Sequence, residues 1–312
     1  MGEAAWAVLI GPFRDIVTGP TFFVEVLIGG VFAGLMYSLV ALGFVLIFKA
    51  SGVFNFAQGV MVLFAALTLV GLLERGMPVM VALLLTAGTM VALAFAIERF
   101  VLRPLVNQEH IILFMATIGL TFFLEGFGEM LWGSNVKRLD VGIPDTSFIV
   151  AGVLINQLEL SAAVTAAVLV TVLAVFFHTT RVGRALRAVA DDHEAALSIG
   201  IPLKTIWVIV WSVAGLVAIV AGIMWGAKSG VQFSLSLVAL KALPVLILGG
   251  FTSVPGAIVG GLIIGVGEKL GEIYWGPLVG GAIENWFAYV LALVFLLFRP
   301  QGLFGERIIE RV

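Results

Sequence analysis

Few residues in this chain are placed to do chemistry, because polar side chains are sparse within long apolar runs. Asn55 and Gln58 stand three positions apart, which puts both amides on one face of a helix. They either bond a passing solute or cap a broken helix. Thr117, Thr121, Glu125 and Glu129 recur at four-residue spacing and form a polar stripe on one run. Glu129 falls near the end of that run, where solvent takes it. Glu125 is deeper and calls for a cation or a hydrogen-bond donor inside the bundle. Lys241 is the one cation in the central apolar stretch 235–250. It either pairs with Glu125 or Glu268 as structural glue or gates a polar pathway. Burying such groups in hydrocarbon costs several kcal/mol, so they should face protein or water. Glu98, beside Arg99, reads as an interfacial residue whose stem lies along apolar surface.

Signatures of catalysis do not accompany these groups. His110, His178 and His193 are isolated and lack metal-ligand spacing. Gly226-Ala227-Lys228-Ser229 resembles the end of a phosphate-binding loop, but lacks the Gly-Lys-Ser adjacency and the glycine spacing. Cysteine is absent, which removes disulfides and thiolate chemistry. A net charge of −2 gives no reason to expect a nucleic-acid partner.

The elements that must position these residues follow from composition. Of 312 residues, 61% are hydrophobic and 12% charged, about half the charge of a soluble globular protein. The bilayer is therefore the solvent. Runs at 22–48, 56–73, 79–98, 111–131, 160–178, 204–226, 254–273 and 282–298 approach the roughly 20 apolar residues a span needs. The stretch 235–250, interrupted by Lys241 and Pro244, is either a ninth span or a broken, re-entrant element. The expected class is an all-α integral membrane protein, a polytopic helical bundle of about 8–9 transmembrane or re-entrant segments. Residues 1–312 read as one transmembrane domain. Residues 1–21 form an interfacial segment with Trp6 at headgroup depth, stopped by Gly11-Pro12 and retained rather than cleaved.

Basic residues orient the chain. Lys49, Arg99, Arg103, Arg181, Arg184, Arg187, Lys204, Arg299, Arg307 and Arg311 fall in one set of loops. Arg14, Arg75, Lys137, Arg138 and Lys228 fall in the other. The positive-inside rule puts 179–203 and the C-terminus in the cytoplasm and 132–158 outside. The outer loop carries Lys137, Arg138, Asp140 and Asp145, which suit either a docking protein or plain solvation.

Glycine is concentrated as well as abundant. Gly256-xxx-Gly260, Gly261-xxx-Gly265 and Gly267-xxx-Gly271 follow one another along one run, preceded by Gly249-Gly250. This spacing lets helices approach closely. It marks tight packing within the subunit, or a helix lining a pathway or subunit interface.

In the loop 179–203, Leu186, Val189, Ala190, His193, Leu197 and Gly200 share one helical face. Arg181, Arg184 and Arg187 precede Asp191, Asp192 and Glu194, the reverse of what the helix dipole favours. That order suits arginines at lipid headgroups and acids facing a partner. Glu194-Ala195-Ala196 followed by Gly200 matches the spacing of the coupling loop of ABC importer permeases, the element that enters a cleft of the ATPase. Gly34-Leu-Met-Tyr-Ser-Leu, Val53-Phe-Asn-Phe-Ala-Gln-Gly59 and Gly249-Gly-Phe-Thr-Ser-Val-Pro-Gly-Ala-Ile-Val-Gly-Gly261 resemble the branched-chain amino-acid ABC transporter permease family, over nearly the whole chain.

The resemblance implies a multi-pass protein of the bacterial inner membrane. It implies a second related permease, two cytoplasmic ATP-binding subunits and an external solute-binding protein as partners. ATP and Mg belong to the ATPases; no cofactor is expected on this chain, and it is not itself an enzyme. Arg184, Arg187, Asp191, Asp192, Glu194, Ala195, Ala196 and Gly200 become the coupling residues. Asn55, Gln58, Thr121, Glu125 and Lys241 become the pathway residues. Gly249, Gly250, Gly256, Gly260, Gly261 and Gly265 become the packing residues. Branched-chain amino acids are the implied solute, with urea or a short amide as the alternative within the family. The rivals from other classes are an ion-coupled secondary transporter and a membrane-embedded enzyme.

Overall fold

The computed structural model describes residues 2–52, 54–105, 108–191 and 193–305; the side chains of 2–9, 110, 191 and 193–195 lie outside that description. In chain order the helices are α1 (Gly2–Thr18), α2 (Pro20–Ser51), α3 (Gln58–Glu74), α4 (Val79–Ala96) and α5 (His110–Trp132). A two-stranded hairpin follows, β1 (Ser147–Val150) with β2 (Val153–Asn156). Then come α6 (Gln157–Thr179), α7 (Arg181–Asp191), α8 (His193–Ser198), α9 (Leu203–Ser229) and α10 (Val238–Gly249). The chain closes with α11 (Val254–Leu270), α12 (Gly276–Val279) and α13 (Ile283–Phe298).

Six helical segments among the described residues are long and apolar enough to cross a membrane. Three more are apolar but short: α3, the segment 233–249 and α13. The α3 helix has 17 residues, about 25 Å at 1.5 Å per residue, against a hydrocarbon thickness of about 30 Å. Runs 56–73 and 282–298 are therefore shorter as helices than their hydropathy suggests. Segment 233–249 is a 3₁₀ turn, Phe233–Leu237, leading into α10 with Pro244 inside it.

α3 is apolar all round and buried along nearly its whole length, as a helix without a polar face must be. The second half of α2 packs beside it, and α9 covers it from another side. The glycines of α11 explain the next layer, because its three motifs serve three neighbours. A Cβ on Gly260 would come within 2.6 Å of the Val245 carbonyl on α10. Gly261 and Gly265 leave no room against α2, where a Cβ on Gly34 would reach the Gly261 carbonyl at 2.6 Å. Gly267 and Gly271 take the Phe287 ring of α13. Gly249 and Gly256 meet each other across the α10–α11 turn, and a Cβ on Gly250 would lie 2.8 Å from the Gly305 nitrogen. The glycine motifs thus pack helices within this subunit.

The order of elements repeats. Ser51-Gly52 ends long α2, which precedes short α3; Ser229-Gly230 ends long α9, which precedes short α10. The helix after each short one, α4 and α11, runs on into a π-helical turn, Ile97–Leu102 and Gly271–Trp275. The two short elements meet where a Cβ on Gly59 would collide with Ser236 and Ala239.

The connections gather at two ends. At one, Trp207 Nε1 donates to the Ala50 carbonyl (3.0 Å), Arg187 to Phe177 (2.7 Å), and the Leu303 amide to Leu248 (2.8 Å). At the other, Lys137 pairs with Glu74, Lys228 with Glu159 (2.7 Å), and the Leu154 amide donates to Glu25 (3.2 Å). These are the two loop sets that the basic residues separate.

Three local expectations change. Gly11-Pro12 does not stop the first segment, since α1 continues through it; a proline removes one helical hydrogen bond but need not end the helix. The loop 132–158 folds a hairpin whose Ala151 and Gly152 both take positive φ, the two-residue turn that suits the twist of paired strands. Glu98 does not snorkel along apolar surface. It is buried and held by Arg103 at 3.3 Å, within the π-helical turn that ends α4.

Candidate functional site

The α2–α3 connection is built by side chains. Asn55 Oδ1 accepts from the Ala57 amide (3.1 Å), and Thr117 Oγ1 of α5 accepts from the Phe56 amide (3.1 Å). These bonds satisfy backbone that no helix or sheet serves. Asn55 is therefore a turn-former. Gln58 opens α3 fully buried, packed over Gly43, and its amide oxygen and nitrogen have no partner among the described residues.

A cavity of about 180 Å³ lies beside this turn, between α5 and the 3₁₀–α10 segment. Phe44, Phe54 and Phe56 line it together with Thr121, Glu125 and Ser236. Phe44 and Phe54 stack at 4.9 Å. Exposed Phe122 and Leu237 also border it. The stripe on α5 thus divides by task. Thr117 is buried and braces the turn, Thr121 and Glu125 face the cavity, and Glu129 is exposed. Glu125 makes no hydrogen bond or ion pair with a described residue, contrary to the expectation of a cation beside it.

Lys241 chooses Glu268, not Glu125. Its Nζ lies 2.7 Å from Glu268 Oε1, tying α10 to α11. Tyr37 of α2 donates to the same oxygen at 3.1 Å and stacks on Trp225 of α9. Sequence reasoning missed Tyr37, although the Gly34-Leu-Met-Tyr stretch contained it. Lys241 does not line the Glu125 cavity.

At the basic end, α7 buries Leu186 and Val189 against the bundle, as its periodicity implies. The arginines answer the charge puzzle of that loop. Arg187 donates to the Phe177 and His178 carbonyls (2.7 and 3.4 Å), and Arg184 to that of Thr179 (3.1 Å). They cap the C-terminus of α6, where positive charge is favourable. Their order is wrong for the helix they belong to and right for the one before it, so headgroup contact is not needed to account for it.

Asp192 lies outside the described residues, as do the side chains of Asp191, His193, Glu194 and Ala195. In α8, Ala196 is buried while Leu197 is exposed, so Leu197 does not share the buried face with Leu186. Gly200 takes φ of +84°, and the Ile201 amide returns to Ala196 at 3.0 Å, closing the helix end. Ile199 is left 73% exposed on that corner.

The family described as branched-chain amino acid transport system / permease component matches residues 26–299. This chain belongs to that family. It is a multi-pass membrane permease of the ABC importer class, and its relatives agree along almost the full length. It is 30% identical to the high-affinity branched-chain amino acid transport system permease protein LivH of Escherichia coli K12, covering 93% of this chain and 98% of that one. The corresponding BraD protein of Pseudomonas aeruginosa is 29% identical at the same coverage. The fructose import permease protein FruG of Bifidobacterium longum is 26% identical, over 80% of this chain and 74% of its own. Among solved structures, PsaBC from Streptococcus pneumoniae in complex with Fab aligns over 94% of this chain and 98% of the other, with TM-score 0.49 and 11% identity.

Proposed function

We propose that this permease imports branched-chain amino acids, pairing with a second related permease, two cytoplasmic ATPases and an external solute-binding protein. The observation that carries the substrate is the agreement with two branched-chain amino acid permeases along 93% of the chain. The fructose permease is more distant and matches less of its own length. Coupling is mechanical. The α8 corner at the basic end presents exposed Leu197 and Ile199 to an ATPase cleft, and α7 transmits its movement through Leu186 and Val189. The permease then supplies differential packing between outward- and inward-facing states. The secondary-transporter rival calls for paired intramembrane carboxylates near broken helices; of its two candidates Glu125 stands alone at the cavity, and Glu268 is held by Lys241 and Tyr37.

The complete complex in proteoliposomes tests this reading. Tagged wild-type chain should bring down two ATPases and the second permease, and should take up leucine, isoleucine or valine only with the binding protein and ATP. The Ile199→Asp variant should assemble less ATPase and lose uptake at least tenfold while its thermal unfolding stays unchanged. Wild-type-like uptake and ATPase recovery in Ile199→Asp would remove the docking corner from the mechanism.

A further inference from the structure

We infer that the cavity beside the α2–α3 turn is a solute site inside the permease, in which Glu125 binds the ammonium group of an apolar amino acid. The inference rests on the proposed import function and adds a residue that reads the solute after the binding protein has released it.

The polar groups of the cavity share one property. Thr121 Oγ1 donates its proton to the Thr117 carbonyl (2.9 Å), and Ser236 Oγ donates to Phe233 (2.8 Å). With both protons committed, the two hydroxyls offer only lone pairs inward. Glu125 adds a carboxylate with no hydrogen bond or ion pair to a described residue. Three acceptors with no facing donor select a ligand that brings donors and positive charge. The remaining wall is apolar: aliphatic Val60, Leu237, Ala239, Leu240 and Leu243, and the aromatic faces of Phe44, Phe54, Phe56 and Phe122. Such faces attract a cation and also accommodate a branched alkyl group.

Size argues the same way. About 180 Å³ falls below the range of roughly 300–1,000 Å³ typical of drug-sized ligands, so the occupant is small. The two buried carboxylates among the described residues do not offer this. Glu268 is neutralised by Lys241 and Glu98 by Arg103. A solute carboxylate would be repelled by Glu125 and must point out of the cavity. The orientation is therefore ammonium and side chain inward, carboxylate outward.

The decisive experiment measures binding of radiolabelled leucine to the assembled permease–ATPase complex in nanodiscs, without the binding protein. Isopentylamine keeps the ammonium and the alkyl chain, and should compete. 4-Methylpentanoate keeps the alkyl chain and carboxylate, and should not. Glu125→Gln should weaken leucine binding at least tenfold, with Glu125→Asp intermediate and complex assembly and melting unchanged in both. Equal binding by Glu125→Gln, competition by the carboxylate instead of the amine, or displacement of leucine by sodium ions would each overturn the assignment. Wild-type uptake in proteoliposomes is measured in parallel. Uptake of leucine with no effect of Glu125→Gln sinks the site and leaves the function standing, whereas ATP-driven uptake of a different solute class sinks the function.

Discussion

Ser51-Gly52 and Ser229-Gly230 end the long helices α2 and α9, and Gly52 and Gly230 adopt positive φ, 67° and 78°. Glycine tolerates that backbone without a Cβ penalty. Beyond the shared signal the two connections part. The first is organised by side chains, with Asn55 and Thr117 taking the amides of Ala57 and Phe56. The second is organised by backbone, since Val231 exchanges hydrogen bonds with Lys137 at 2.8 and 2.9 Å. The helices that follow differ too. α3 is enclosed and buries a Gln58 amide with no partner among the described residues, while α10 carries Lys241 paired with Glu268 Oε1, which also accepts from Tyr37. A local signal ends a helix in both cases. What the chain does next depends on which neighbours can satisfy its backbone.

Substitutions should separate the two connections, beginning where they touch. Gly59→Leu puts a side chain into the Ser236 backbone and Ala239, an overpacking cost of about 3 kcal/mol or more. Loss of monodisperse protein from the membrane fraction is expected, whereas Gly88→Leu, with open space around it, should leave the yield unchanged. Normal yield for Gly59→Leu would mean that the two connections are not in rigid contact.

Lys241→Met comes next. It strands the buried Glu268 carboxylate with Tyr37 as its one remaining donor among the described residues, and Lys241 itself is 30% exposed. A loss of about 2 kcal/mol follows, less than for a fully enclosed pair. The double variant Lys241→Met/Glu268→Gln should recover most of it in thermal unfolding. No recovery would show that the lysine stabilises by packing alone.

The smallest effect has the opposite sign. Gln58→Met removes, at nearly constant volume, a buried amide with no partner among the described residues. It should leave stability unchanged or raise it by up to about 1 kcal/mol, in contrast to Lys241→Met. A clear loss of stability would show that the Gln58 amide is satisfied in the membrane.

Much of this was legible in the amino-acid string, though unevenly. The glycine motifs announced close helix packing because their spacing has few other uses in a bilayer, but not that each of three motifs serves a different neighbour. The Asn55/Gln58 pair was visible as one helical face. In fact Asn55 lies in the turn and only Gln58 begins the helix, so the two amides have different surroundings. Lys241 had two candidate partners at the level of sequence, since Glu125 and Glu268 are equally plausible until α10 is laid against α11. The arginines of α7 made sense only once α6 ended beside them. Glu98 was misread because helical periodicity does not reveal a π-helical turn.

The sequence by itself determined the solvent, the helical class, the two sets of loops and the family. Those depend on composition, hydropathy and short motifs, which hydrocarbon enforces residue by residue because unpaired backbone and charge are costly there. Tertiary structure alone decided which carboxylate was neutralised and which was left facing a cavity. Ion pairing depends on distances of a few ångströms between helices far apart in the chain, such as Lys241 and Glu268. Those distances are set by how closely glycine lets backbones approach, as at the α2–α11 crossing, and no local pattern encodes them.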